Sequence, residues 1–201
     1  MFRIHRHTIL VAGLVALLGA PPALRAQAAP ARPKLSASLE AVRTALDRYA
    51  DPFAAMHDGY FSTVACVDYP TAGGAGTLGY PAGGMGVHFL NPGRIGAPID
   101  SLKPQVLLYE PDGDKLRLVA AEWFVPVAVS KQRPQIFGKG FDGPMEGHHP
   151  IMPPELHHWD LHVWLWKENP AGVFSATNPA LVCPAGAYTM HEVTPKQLPT
   201  P

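Results

Sequence analysis

The period of the apolar positions changes near Tyr60, and with it the kind of element the chain can form. Upstream, Leu39, Val42, Leu46 and Tyr49 recur at helical spacing while Glu40, Arg43, Asp47 and Arg48 take the other side, which predicts an amphipathic helix. Asp51-Pro52 offers an N-cap followed by a first-turn proline, opening a second, short helix that runs through Met56 and stops at Gly59. Downstream, short apolar runs alternate with Gly and Pro clusters, the punctuation of strands. Residues 105–110 and 115–127 flank Pro111-Asp112-Gly113-Asp114 and predict a hairpin. Further strands are expected at 85–90 and 158–166, and a short helix at 169–181. A long loop at 138–156 is of the length that often carries function in a compact domain.

The first residues follow a different plan. Arg3, Arg6 and two histidines precede an uncharged run over 8–20, then Pro21-Pro22 and a small-residue ending at Ala26-Gln27-Ala28. That order marks a secretory signal peptide over 1–28, cleaved after Ala28. Its apolar run is too short to cross a bilayer comfortably; an uncleaved N-terminal anchor is the competing reading. A flexible tether (29–35), a single globular domain (36–190) and a loose C-terminal tail (191–201) complete the expected organisation. With 23 prolines and 19 glycines, helix should be a minority. The expected fold class is α+β: N-terminal helices packed on a mostly antiparallel sheet, with long Gly/Pro-rich loops.

Charge and cysteine content narrow the function. Sixteen basic residues balance 16 acidic ones, and losing Arg3, Arg6 and Arg25 with the signal leaves the mature chain mildly acidic. No basic stripe suggests a nucleic-acid partner, and no polybasic patch suggests stable membrane insertion after cleavage. In a secreted or periplasmic setting the two cysteines, Cys66 and Cys183, are expected to form one disulfide; two buried thiols are the alternative. The glycine-rich stretch 73–86 lacks the Lys-Ser/Thr ending of a phosphate loop, and no Gly-x-Ser-x-Gly elbow or helical zinc-protease motif occurs.

What remains is a set of histidines and carboxylates. Read as a strand, 158–166 places Trp159, Leu161, Val163 and Leu165 on one face and His158, Asp160, His162, Trp164 and Trp166 on the other. Neighbours two apart lie roughly 7 Å apart, so Asp160 and His162 can reach one ion, whereas His158 and His162 share it only if the strand bends. In the hairpin, Glu122 falls on a face with Leu116, Leu118, Ala120 and Phe124, and a carboxylate in such company needs a partner. His88 sits inside the apolar run of a third strand. His88, Glu122 and His162, with Asp160 as ligand or orienter and His158 and His149 as further donors, form a mixed N/O set suited to Zn, Fe, Mn or Cu. His148, His149, Met145 and Met152 on the long loop are placed to close the site or to capture copper. The plainer alternative keeps these histidines as hydrogen-bonded core or surface residues, with Glu122 paired to Arg117 or Arg133.

Three strings, Gly-Gly-Met-Gly-Val-His-Phe-Leu-Asn-Pro, Val-Ala-Ala-Glu-Trp-Phe-Val-Pro and His-Trp-Asp-Leu-His-Val-Trp-Leu-Trp-Lys-Glu-Asn-Pro, resemble a family of exported bacterial proteins usually described only as uncharacterised. The likeness runs from about Val42 to Cys183 and implies one domain without implying an activity. The expected function is metal binding through the His/carboxylate site. A metal-dependent enzyme with Glu122 as base, or a module for a small molecule or for envelope structure, are the alternatives.

Overall fold

The computed structural model describes residues 32–186 and 188–201; the signal peptide expected at 1–28 lies outside them. Among the described residues helix is confined to α1 (Ala37–Leu46), a 3-10 turn (Asp47–Ala50) that extends it, α2 (Pro52–His57) and a second 3-10 turn (Pro92–Arg94). Ser36 caps α1 by accepting from the Leu39 amide, and Asp51, the cap expected from the sequence, caps α2 by accepting from the Phe53 amide. Helix α1 buries Leu39, Val42 and Leu46.

The rest is mainly sheet. Strands β1 (Phe61–Tyr69), β2 (Gly83–Leu90), β3 (Val106–Asp112), β4 (Lys115–Pro126), β7 (Asp142–Met145), β8 (His158–Val163) and β9 (Thr189–His191) form one seven-stranded sheet in the order β7-β8-β4-β3-β2-β1-β9. All its pairings are antiparallel except β1 with β9. A separate two-stranded ribbon joins β5 (Gln135–Ile136) to β6 (Lys139–Gly140). Among the described residues no helix is long and apolar enough to cross a membrane.

Register decides which side chains share a face, because residues paired directly across strands point the same way. His88 pairs with Leu108 and Leu108 with Ala120; Leu90 pairs with Val106, Val106 with Glu122, and Glu122 with His162. These residues, with Phe124 and Asp160, make one face. The other face carries Phe89, Leu107, Ala121, Trp123, Leu161 and Val163, all buried. A bulge in β4 skips Val119, so that Leu118 pairs with Tyr109 and through it with Val87. Leu118 therefore belongs to the second face and does not share Glu122's, contrary to simple alternation.

Several other expectations are corrected. Residues 169–181 form turns and no helix. Asn169 and Asn178 each accept from a backbone amide two residues on, the Asx turns of a reversing chain. The loop at 138–156 contains β6 and β7. The segment after His191 is tied down: Glu192 N donates to Asp68 O, Leu78 N to Pro195 O, and Leu198 N to Pro144 O. Strands β1 and β9 were not foreseen, since β1 is broken by a bulge between Ser62 and Cys66 and β9 spans only three residues.

Cys66 and Cys183 are joined, closing 117 residues of sequence. On the chain-entropy account a loop of that length limits the unfolded state by roughly 4–5 kcal/mol. Gly86 serves the sheet differently. Its φ is +96°, and a Cβ there would lie 2.5 Å from the Tyr109 carbonyl oxygen, so only glycine lets β2 approach β3 two residues before His88.

Two outcomes follow. The Cys66→Ala/Cys183→Ala variant should lose about 4 kcal/mol in urea-denaturation stability on the same basis. Gly86→Ala should lower the midpoint and weaken whatever His88 binds, which a chemically silent glycine would not do.

Candidate metal centre

Three strands deliver His88 (β2), Glu122 (β4) and His162 (β8) to one point on the first face. His162 Nε2 lies 3.5 Å and His88 Nε2 4.0 Å from Glu122 Oε2. Each of the three offers a ligand atom within 4.8 Å of the others. Direct pairing of Glu122 with His162 across β4 and β8 sets the shorter contact, and the diagonal across β3 sets the longer one. His88 is 12 % exposed along its side chain, and Glu122 and His162 are buried.

Next to them lies a second group. His148 Nε2 and His158 Nε2 each stand 3.8 Å from Asp160 Oδ2. Asp160 Oδ1 in turn lies 4.0 Å from His162 Nδ1, so Asp160 sits between the two groups. Phe124 stacks on His158 at 4.7 Å between ring centroids and fixes the plane of that imidazole.

Both groups border a cavity of about 210 Å3. His88, Glu122, His148, His158 and His162 form its polar lining; Leu90, Val106, Phe124, Ile151, Met152 and Leu156 contribute apolar walls. The loop residues Ile151 to Leu156 cover it from one side, and Thr63, carried by the bulge in β1, reaches it from another.

Burial shapes the protonation of these groups. It lowers the His88 imidazole to about 3, with His162 adding to the effect, and it lowers His162 as well. Burial followed by the charge of Asp160 raises Glu122 well above the usual carboxylate range. His148 is likewise lowered to about 3 by burial and by His158. Behind it, the Tyr69 hydroxyl donates to Glu192 Oε2 at 2.6 Å and lies 3.0 Å from His148 Nδ1. Burial raises Glu192 to about 7 against the opposing hydrogen bond from Tyr69.

Within this cluster His88 Nδ1, both ring nitrogens of His162 and Asp160 Oδ1 are buried without a hydrogen-bond partner among the described residues. Buried polar atoms of native proteins are almost always paired, so so many at one place call for an explanation. The arginines proposed as partners for Glu122 are engaged elsewhere: Arg117 with Glu110, Arg133 with Asp142 and the Phe141 carbonyl.

No family model, curated protein or solved structure matches this chain. The role of the centre is read from its own chemistry. Buried imidazole and carboxylate donors are the ligand types of a transition-metal ion, and these groups can hold one.

Of the residues named from the sequence, His88, Glu122 and His162 come together, and Asp160 joins them from its neighbouring position. His158 is near but groups with His148 and Asp160, not with His162. His149 is exposed and takes no part; its neighbour His148 turns inward instead. Tyr69, Tyr80 and Glu192 were missed. Tyr69 and Glu192 stand on an unforeseen strand and an apparent tail, although a buried Glu beside an irregular strand leaves only a faint trace in composition.

One part of the pH response of the metal-free protein follows from His88. Its ordinary value is 6.5 and its folded value about 3, so between these the unfolded chain binds a proton that the folded chain refuses. Its contribution to stability is intact above pH 6.5 and erodes as pH falls toward 3. His88→Gln, followed by thermal unfolding in chelator, should flatten the acid limb of the stability curve; an unchanged limb would contradict a neutral buried imidazole. Tyr69→Phe strands His148 Nδ1 and Glu192 together and should cost about 1–3 kcal/mol in denaturant titrations.

Proposed function

We propose that this is an exported metal-binding protein that holds one divalent transition-metal ion, Zn, Fe, Mn or Cu(II), through His88, Glu122 and His162. The observation that carries it is the convergence of these three donors from three strands, with His162 Nε2 left unpaired beside the Glu122 carboxylate. Asp160, facing His162 Nδ1, orients that ring from behind, as a carboxylate commonly does for a ligating histidine. Export is supported by the signal-like first residues and by a disulfide, which persists in oxidising compartments. The likeness to exported bacterial proteins points the same way. The N-terminal helices are read as packed on the sheet's other face, supported by Leu39, Val42 and Leu46 sharing a buried cluster with Trp123 and Leu161.

A metal-dependent enzyme is the second reading, and the cavity favours it. Three protein ligands leave coordination positions open, and here they adjoin an apolar space of about 210 Å3. A small, largely apolar molecule with one polar ligating atom fits that lining better than a sugar or a nucleotide does.

Protein purified from its native compartment without chelator should carry metal at this centre. Glu122→Gln or His162→Ala should each cut its occupancy at least tenfold while circular dichroism stays native. Equal metal content in both variants and the parent would exclude the site. Because burial keeps the Glu122 carboxyl protonated above the usual range, binding should release its proton and weaken on acidification; calorimetry in buffers of different ionisation heat reads this directly. On the enzyme reading, azide added to the Co(II)-loaded protein should change its visible absorption. A closed sphere leaves the spectrum unaltered.

A further inference from the structure

The group on the other side of Asp160 is more than a support for the first. Beside His148, His158 and Asp160 stands Met145, fully buried, with Sδ 3.4 Å from His148 Nε2. Around a tetrahedral ion with bonds of roughly 2.0–2.3 Å, ligand atoms sit about 3.3–3.8 Å apart. The three measured separations, 3.4, 3.8 and 3.8 Å, fall on that spacing.

Both rings are also held from behind. His158 Nδ1 lies 3.0 Å from the Leu156 carbonyl, which can only accept, so Nδ1 carries a proton, and Nε2 is turned toward Asp160. The Tyr69 hydroxyl spends its proton on Glu192 and so accepts from His148 Nδ1, which leaves Nε2 of the neutral His148 ring bare. Two ring nitrogens, a thioether and a carboxylate oxygen therefore face one another, an arrangement that a cation would turn into a coordination sphere whose histidines are oriented by outer partners. Tyr80 closes the far side, its hydroxyl 3.4 Å from Asp160 Oδ2 and 3.3 Å from Met145 Sδ.

We propose that Met145, His148, His158 and Asp160 form a second metal site, separate from His88–Glu122–His162, and that it takes copper, preferentially as Cu(I). Thioether sulfur is a soft donor that favours Cu(I), and two imidazoles suit the same ion, while the harder site next door has no sulfur. An ion reaches it through the cavity, which His148 and His158 both line.

The test is competition of the full-length protein against a chromophoric Cu(I) chelator, with zinc binding measured in parallel, on the parent, Met145→Leu and Glu122→Gln. Met145→Leu nearly conserves volume, so the fold is retained and checked by circular dichroism. The parent should bind one Cu(I) at this site in addition to one Zn(II). Met145→Leu should weaken Cu(I) at least tenfold and leave zinc unaltered, whereas Glu122→Gln should do the reverse. Copper-edge absorption should show a Cu–S contact in the parent that Met145→Leu removes. No Cu(I) uptake, or Cu(I) affinity and edge spectrum indifferent to Met145→Leu, overturns the proposal. Zinc binding indifferent to Glu122→Gln, with copper still dependent on Met145, would remove the first site and leave this one standing.

Discussion

Two carboxylates held inside the sheet, whose counter-groups among the described residues are imidazoles, set the terms for the rest of the molecule. Glu122 meets His88 and His162; Asp160 meets His148, His158 and His162. Glu110, also buried, shows how the same chain treats a structural carboxylate: it is clasped by Arg117 and Lys167. An isolated buried charge costs several kcal/mol; burial answers this at Glu122 by raising its carboxyl well above the usual range, whereas at Asp160 the hydrogen bond from His158 and the neighbouring imidazoles outweigh burial and lower it. A cation bound as proposed would offset that cost, and would give the unpaired His162 Nε2 a partner.

The scaffold serves this arrangement by making both sheet faces interior. One face is filled by Trp123, Leu161, Val163 and their neighbours, so the strands are rigidly stacked. Buried indoles are anchored at their N–H groups, Trp123 to the Asp100 carbonyl and Trp159 to that of Ser130. Donors on the opposite face inherit that rigidity, since each follows or precedes a core residue on the same strand. The covering loop and the tied-down C-terminal segment then complete the walls, and Tyr69 and Glu192 reach His148 from outside the strands that carry the first site.

How much of this can be read from residues alone depends on the range of the interaction. The Asp51 cap, the 105–127 hairpin and the two faces of β8 follow from local periodicity and lie where expected, although the strand ends at Val163 and not at Trp166, and Trp164 packs in the core. His88, Glu122 and His162 could be grouped because each interrupts an apolar strand with a group that needs a partner. What fails is anything set by a bulge or by a distant contact. The bulge at Val119 moves Leu118 off Glu122's face, and the one in β1 hides that strand's alternation. Whether His148 or His149 turns inward depends on how the loop packs under Tyr69 and Met145, which no local pattern encodes. The 169–181 segment is expected to be helical, yet its two asparagines accept from nearby backbone amides in turns.

The account stands or falls on a metal ion between His88, Glu122 and His162. Anomalous diffraction from crystals of protein purified without chelator tests it most directly. A peak at the absorption edge of a first-row transition metal, roughly 2.0–2.3 Å from His88 Nε2, Glu122 Oε2 and His162 Nε2, is the expected result. Well-ordered side chains in the same places with no anomalous signal between them, after metal has been supplied, would contradict it.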